Sequence, residues 1–289
     1  MAKAERLALG TVQFGQEYGI ANRSGRVSLD EVARILEIAR TAGIDTLDTA
    51  ATYGDSEVRL GEIGVTDWNL VSKLPEMPAD ITDVTGWSEA STALSLQRLG
   101  VESFDGLLLH RPRQLNGDRG DELLAALIGL RDSGVTRRVG ISAYGPDDLD
   151  AVWDDRFDLV QTPFNVLDRS LLNSGWLDRL VAGGVEVHTR SAFLQGLLVM
   201  EERPPQFDRW GRLFDEWDHW LQAHSTTPVA ACIGFSLAQP GIDRVVVGVD
   251  SAQQLQDVLA VVDDPIPTPP DTLLSNDPDL IDPSRWKLE

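Results

Sequence analysis

The sequence predicts a single (β/α)8 barrel over residues 1–289, and three observations carry that expectation. Eight short apolar runs alternate with amphipathic stretches, the pattern of parallel strands joined by crossover helices. The first run leads into Gly10-Thr11-Val12-Gln13-Phe14-Gly15, which lacks the glycine spacing of a dinucleotide phosphate loop and a helix opening directly after it, so an open doubly wound sheet is disfavoured. The length of 289 residues exceeds the usual ~100–150 per domain but suits a barrel of roughly 250, and no linker, repeat or low-complexity tract divides the chain.

In chain order, the expected strands are residues 7–10, 44–48, 69–73, 104–110, 138–142, 159–162, 185–189 and 244–248. The first helix, 29–42, opens on a Ser28-Leu29-Asp30-Glu31 capping box and aligns Val32, Ile35, Leu36 and Ala39 on one face. Further helices are expected over 90–99, 122–133, 146–153 and 252–261. An extra segment, 207–223, places Trp210, Phe214, Trp217 and Trp220 three or four residues apart before the last βα unit, either as core or as a wall for substrate. From Pro265 onward, prolines and weak periodicity predict an irregular tail across the surface.

Composition narrows the function. Hydrophobic residues make up 42% of the chain and charged residues 25%, as in a globular protein. A net charge of −21 opposes binding to nucleic acid or an anionic membrane, because both need clustered Lys and Arg. The single cysteine, Cys232, excludes an internal disulfide and a multi-Cys metal site, and its apolar surroundings suggest a buried, inert thiol. No metal site is expected, since the four histidines are scattered. The first residues lack the apolar core of a signal peptide, and no stretch approaches the ~18 apolar residues of a membrane span, so the cytoplasm is the expected location.

Active sites of such barrels form where the carboxyl ends of the strands converge. Asp48, Lys73 and His110 each end an apolar run, and Tyr53 lies just beyond the first of them. Singly, each has an ordinary explanation, an acid as a helix cap or a histidine satisfied in the core. Together they form a proton-transfer set, because an ammonium stabilises a phenolate and so lowers the pKa of a phenol from its usual value of about 10.

With these residues in place, the chain resembles the aldo-keto reductase superfamily. The likeness runs through Asp48-Thr49-Ala50-Ala51-Thr52-Tyr53-Gly54, Ser72-Lys73 and Leu107-Leu108-Leu109-His110-Arg111-Pro112. It extends to Gly10-Thr11, Gly140-Ile141-Ser142, Val160-Gln161 with Asn165, the stretch from Ser191 to Gly196, and Gly248 with Gln254-Leu255. The resemblance implies hydride transfer between NADP(H) or NAD(H) and a small-molecule carbonyl or alcohol. Tyr53 would be the general acid, Lys73 its ammonium, Asp48 the partner of Lys73, and His110 a donor to the carbonyl oxygen.

The same resemblance assigns Ser142 and Gln161 to the nicotinamide carboxamide and Asn165 to the cofactor-holding set, although Gln161 could equally serve a hydrogen bond inside the barrel. It groups Gly10, Thr11, Arg190, Ser191, Phe193, Gln195 and Gly196 with the cofactor as well. Gly248, Val249, Asp250, Ser251 and Gln254 would hold its adenosine-phosphate end, where a helix N-terminus offers free amides. Walls for the substrate are expected from Phe14, Trp87, Arg111, Phe164 and Trp286, and the stretch around Phe193-Leu194-Gln195-Gly196-Leu197 suggests a sugar-derived carbonyl.

Two positions depart from the family. Asp250 stands where many relatives place a cation for the 2′-phosphate of NADP, and no Lys or Arg occurs between Val245 and Ser284, so either weak discrimination between the two cofactors or a lean towards NAD is expected. Arg190 replaces a stacking aromatic residue, and would either stack on the nicotinamide or face solvent or an acid. A cofactor-binding regulatory or scaffold protein is the alternative to an enzyme, and the chain would act as a monomer or small homo-oligomer.

Overall fold

The computed structural model describes residues 2–286. All eight apolar runs are strands: β1 Leu7–Gly10, β2 Thr46–Asp48, β3 Asn69–Leu74, β4 Phe104–Leu109, β5 Thr136–Ser142, β6 Leu159–Pro163, β7 Glu186–Arg190 and β8 Arg244–Gly248. Each pairs in parallel with the next, and β8 returns to β1 to close the barrel. The expected (β/α)8 architecture is therefore present. No helix among the described residues is long and apolar enough to cross a membrane.

Helix Leu29–Thr41 begins at Ser28, whose hydroxyl accepts the Glu31 amide at 3.3 Å, and it buries the four residues expected. Helix Val84–Leu99 starts six residues earlier than the sequence pattern indicated, because Asp83 caps its first turn by accepting the Gly86 amide at 2.9 Å. Helices Ser56–Ile63, Trp176–Ala182 and Pro228–Ala238 were not anticipated. The last carries Thr227 as N-cap and Pro228 in its first turn, but it is apolar on nearly every side and so shows no stripe. Cys232 lies wholly buried in it, and burial pushes its thiol far above the ordinary range. A single turn of helix, Val12–Gly15, also follows β1 directly, contrary to the sequence expectation.

The aromatic insertion resolves into a 3-10 turn, Pro205–Trp210, and helix Gly211–Ala223. Its face is core: Trp217 is fully buried, stacks on Trp220 at 5.6 Å and donates its indole N–H to the Leu198 carbonyl. The tail is less irregular than its prolines suggested, although residues 287–289 lie outside those described. Leu273 and Leu280 are fully buried, and Arg169 grips the tail through Asp271 and the carbonyls of Pro269 and Pro270.

Strand periodicity sorts the side chains. The main core lies between strands and helices, whereas Val71, Leu108 and Leu159 form a separate buried cluster. Their positions alternate with those of the main core, as a two-residue period requires. Gly140 lets β5 and β6 close there, since a Cβ would fall 1.6 Å from the Leu159 carbonyl oxygen. Gly140→Ala is accordingly expected to cost about 3 kcal/mol or more in urea denaturation. Gly129→Ala, in helix Gly120–Asp132 with nothing within 4 Å of the new Cβ, is expected to gain about 0.5–1 kcal/mol.

Candidate active site

The period that directs Val71 and Leu108 into the barrel does the same for residues farther along each strand. Lys73 follows Val71 by two, His110 follows Leu108, and Gln161 follows Leu159. Asp48 is the cross-strand partner of Val71. These side chains converge above the apolar cluster. Lys73, 1% exposed, donates to both oxygens of Asp48 at 2.8 Å and to the Thr49 carbonyl at 2.9 Å. Gln161 spans from β6 and donates to Asp48 Oδ1 at 2.6 Å, the bond inside the barrel that its sequence position allowed. Its Oε1 is buried without a partner among the described residues.

Tyr53 stands on the loop after β2. Its amide donates to the Ala50 carbonyl, and its own carbonyl accepts the Ser56 amide, each at 3.0 Å. Two glycines let this loop meet the one after β1: a Cβ on Gly15 would lie 1.8 Å from the Tyr53 carbonyl oxygen, and Gly54 adopts φ 56° against the Gly15 carbonyl. The Lys73 ammonium sits 5.1 Å from the Tyr53 ring centroid. Burial raises the phenol pKa, the charge of Lys73 opposes this, Asp48 reinforces it, and the net direction is upward. The expected lowering is thus outweighed by desolvation in the free protein. Burial alone would lower the pKa of Lys73, but Asp48 and Tyr53 carry it above its ordinary value.

His110 meets Tyr53 edge-on, with ring centroids 5.9 Å apart. Burial, then the charges of Lys73, Arg111 and Arg190, push its pKa down to about 3, so the imidazole is neutral at physiological pH. Its Nδ1 lies 3.1 Å from the Thr52 hydroxyl. If that hydroxyl donates, Nε2 carries the proton and points the donor elsewhere. Thr52 was not singled out in the sequence, where nothing marks a threonine that acts through a distant histidine.

A cleft of about 360 Å³ opens beside Tyr53 and Asp48. Of the residues assigned to the cofactor, it gathers Gly10, Thr11, Arg190, Ser191, Phe193, Gln195, Gly196, Gly248, Val249, Asp250 and Gln254. Gln13, Tyr18, Asn22 and Asp257 line it as well and were missed, since ordinary polar residues in loops and helices give no periodic signal. Ser191, Leu194 and Gln195 hold φ of 64°, 48° and 52°, a left-handed run that non-glycine residues adopt at a cost of order 1–3 kcal/mol each and that concentrates at ligand sites. Arg190 donates to the Ala143 carbonyl at 3.1 Å and lies over the Tyr144 ring, rather than meeting an acid.

Other assigned residues lie elsewhere. Ser142 and Gln161 sit deeper, on the barrel wall, and the Asn165 amide is spent on the Ser191 carbonyl at 3.1 Å. At the far end, Ser251 caps helix Ala252–Val261 by accepting the Gln254 amide. The Ala252 amide donates to Glu31 at 2.7 Å and that of Asp250 to Gln254, so the amides expected for a phosphate are largely occupied. The proposed substrate wall needs correction. Phe14 and Phe164 are fully buried, the latter stacked on Phe235 at 5.2 Å. Trp87 packs on the core, and Trp286 meets Phe207 at 4.9 Å and donates to the Leu280 carbonyl. Arg111 donates to the Tyr144 hydroxyl at 2.8 Å, and its charge acts on His110.

The model of the aldo/keto reductase family matches residues 6–269. The chain belongs to that family. It is 28% identical to a D-threo-aldose 1-dehydrogenase from Pseudomonas sp, over 88% of this chain and 89% of the relative. It is also 28% identical to an L-galactose dehydrogenase from Arabidopsis thaliana, over 91% and 89%. An aldo-keto reductase from Bacillus halodurans shares its fold with a TM-score of 0.71 at 20% identity, covering 91% of this chain and 88% of that one. The chain is an oxidoreductase.

The neutral His110 gives a pH test. The unfolded chain takes up this proton near pH 6.5 and the folded one only near 3, so stability should fall as pH drops through that interval, by at most about 1.4 kcal/mol per unit. His110→Gln should remove that part of the slope, and the ring signals of His110 should stay constant in NMR between pH 8 and 5. Gly15→Ala should cost about 2–3 kcal/mol and speed amide exchange in the Tyr53 loop.

Proposed function

We propose that this aldo/keto reductase transfers hydride between a nicotinamide cofactor and a carbonyl or alcohol carbon, with Tyr53 giving or taking the proton at the oxygen. The observation that carries the reading is the buried Lys73 ammonium, fixed by Asp48 and set against the Tyr53 ring beside a neutral His110. The nicotinamide, when bound, supplies or accepts the hydride; the protein supplies everything else. The residues fit such a group. Gln161 offers an unsatisfied buried acceptor to a carboxamide, Ser142 adds a hydroxyl, and the strained run from Ser191 to Gln195 borders the cleft.

The division of labour follows from charge. The raised pKa keeps the Tyr53 phenol protonated at neutral pH, so it holds a proton ready for an oxygen that gains negative charge. As the proton leaves, the phenolate forms beside Lys73, whose ammonium is already paid for by Asp48. His110, being neutral, donates a hydrogen bond to the same oxygen without competing as an acid. Relatives that oxidise an aldose and L-galactose support a sugar-like substrate. At the nucleotide end, Asp250 accepts from Asn22 at 3.1 Å and Glu31 holds the Ala252 amide. Carboxylates there suit a ribose hydroxyl and repel a 2′-phosphate, which favours NAD.

Tyr53→Phe should abolish carbonyl reduction, followed by cofactor absorbance, while leaving cofactor affinity nearly intact; retained turnover would remove the role given to the phenol. NADH should bind at least ~10-fold more tightly than NADPH by fluorescence titration, given the two carboxylates. Arg190→Ala should lower the ratio of oxidised to reduced cofactor dissociation constants, because its cation disfavours the charged oxidised ring.

A further inference from the structure

Among 46 acidic and 25 basic residues, an arginine at a barrel end would ordinarily find a carboxylate. At the amino-terminal end of the strands this happens: Arg138 pairs with Asp105 at 2.5 Å and Glu186 at 2.8 Å, and Arg137 with Asp105 at 3.3 Å. At the mouth Arg113 pairs with Asp148 and Arg26 with Asp55, but two other arginines do not follow the rule. Arg111 and Arg190 form no ion pair among the described residues. Both lie over one ring, that of Tyr144, at 5.5 and 5.1 Å from its centroid. Arg111 spends one N–H on the Tyr144 hydroxyl; Arg190 spends one on the Ala143 carbonyl and one, at 3.5 Å, on the Ser191 hydroxyl. Each guanidinium has five donors, so most remain uncommitted.

The acids nearby are engaged. Asp48 is taken by Lys73 and Gln161, and Asp168 accepts from the Ser170 hydroxyl and amide, feeling Arg190 only at longer range. Three cations, Lys73, Arg111 and Arg190, act on His110 together. Arg111 and Tyr144 do not line the cleft that runs from Gly10 to Val258. Arg190 does line it, and Arg111 is near enough to His110 for its charge to act on the imidazole.

We infer that the substrate bears an anionic group, a carboxylate or a phosphate, and that Arg111 and Arg190, braced on Tyr144, receive it. The inference rests on the reading that Tyr53 and its neighbours act on a carbonyl. Planar guanidinium forks match both groups, and a chain that is acidic elsewhere concentrates the attraction at this mouth. Tyr144 holds the forks in place through its hydroxyl and ring face.

The test compares kcat/KM for matched aldehydes: succinic semialdehyde against butanal for a carboxylate, and glyceraldehyde 3-phosphate against glyceraldehyde for a phosphate. At least one anionic member should be preferred about 10-fold or more, and the preferred pair identifies the group. Arg111→Gln should lower that anionic-to-neutral ratio about 10- to 100-fold. Arg113→Gln, a neighbour already paired with Asp148, should leave the ratio unchanged. Ratios near one in the native protein, or an equal drop in both variants, would overturn the inference, as would an Arg111→Gln loss traced to weaker NADH binding. Calorimetry with succinate and glycerol 3-phosphate on the cofactor-loaded protein covers the remaining case. If no aldehyde is turned over, the reductase reading fails, and Arg111-dependent binding of either anion still supports the site while its absence overturns it.

Discussion

A buried ammonium has to be answered by a buried carboxylate, and in this barrel that pairing sets the position of nearly everything at the mouth. Lys73 on β3 and Asp48 on β2 are neighbours in the sheet, and Gln161 reaches across from β6 to the same carboxylate. Leaving either charge alone in the interior would cost several kcal/mol, so the three strands are tied in register by electrostatics as well as by the ladder. The apolar cluster of Val71, Leu108 and Leu159 below keeps the pair dry. Tyr53 and His110 then inherit a local field they could not obtain in water, one phenol pushed up and one imidazole held neutral.

How far the sequence showed this depends on the kind of signal. Apolar runs with a polar residue at the end are conspicuous: Asp48 ends β2, Lys73 is the last residue but one of β3, and His110 immediately follows β4. The pattern fails where there is no contrast to read: helix Pro228–Ala238 is apolar all round, and the first turn of Val84–Leu99, Val84-Thr85-Gly86-Trp87, mixes types without a stripe. Side chains that act through another residue were also hidden. Thr52 and Tyr144 matter because of where His110 and Arg111 are, which the linear order does not give. The aromatic residues proposed as substrate walls illustrate the converse error, since Phe14 and Phe164 are large enough to be recruited by the core.

The two ends of the site have opposite electrical character. Asp250, Asp257 and Glu31 gather at the far end of the cleft or just behind it, and the first helical amides there are answered from within the chain. Arg111, Arg190 and Lys73 gather at the other, around Tyr144 and His110. A long ligand entering such a gradient is oriented before it makes a single hydrogen bond. With −21 over the whole chain, the positive end is the exception and therefore the more informative feature.

The cleft is also built from segments far apart in the sequence. Residues 10–22 supply one wall, residues 246–258 another, and β1 and β8 meet along its base while Glu31 clasps Ala252 across the seam. During synthesis the first wall leaves the ribosome long before its partner exists. A chain that has made only the first wall has no complete pocket to offer, so ligand capture reports that β8 has docked against β1.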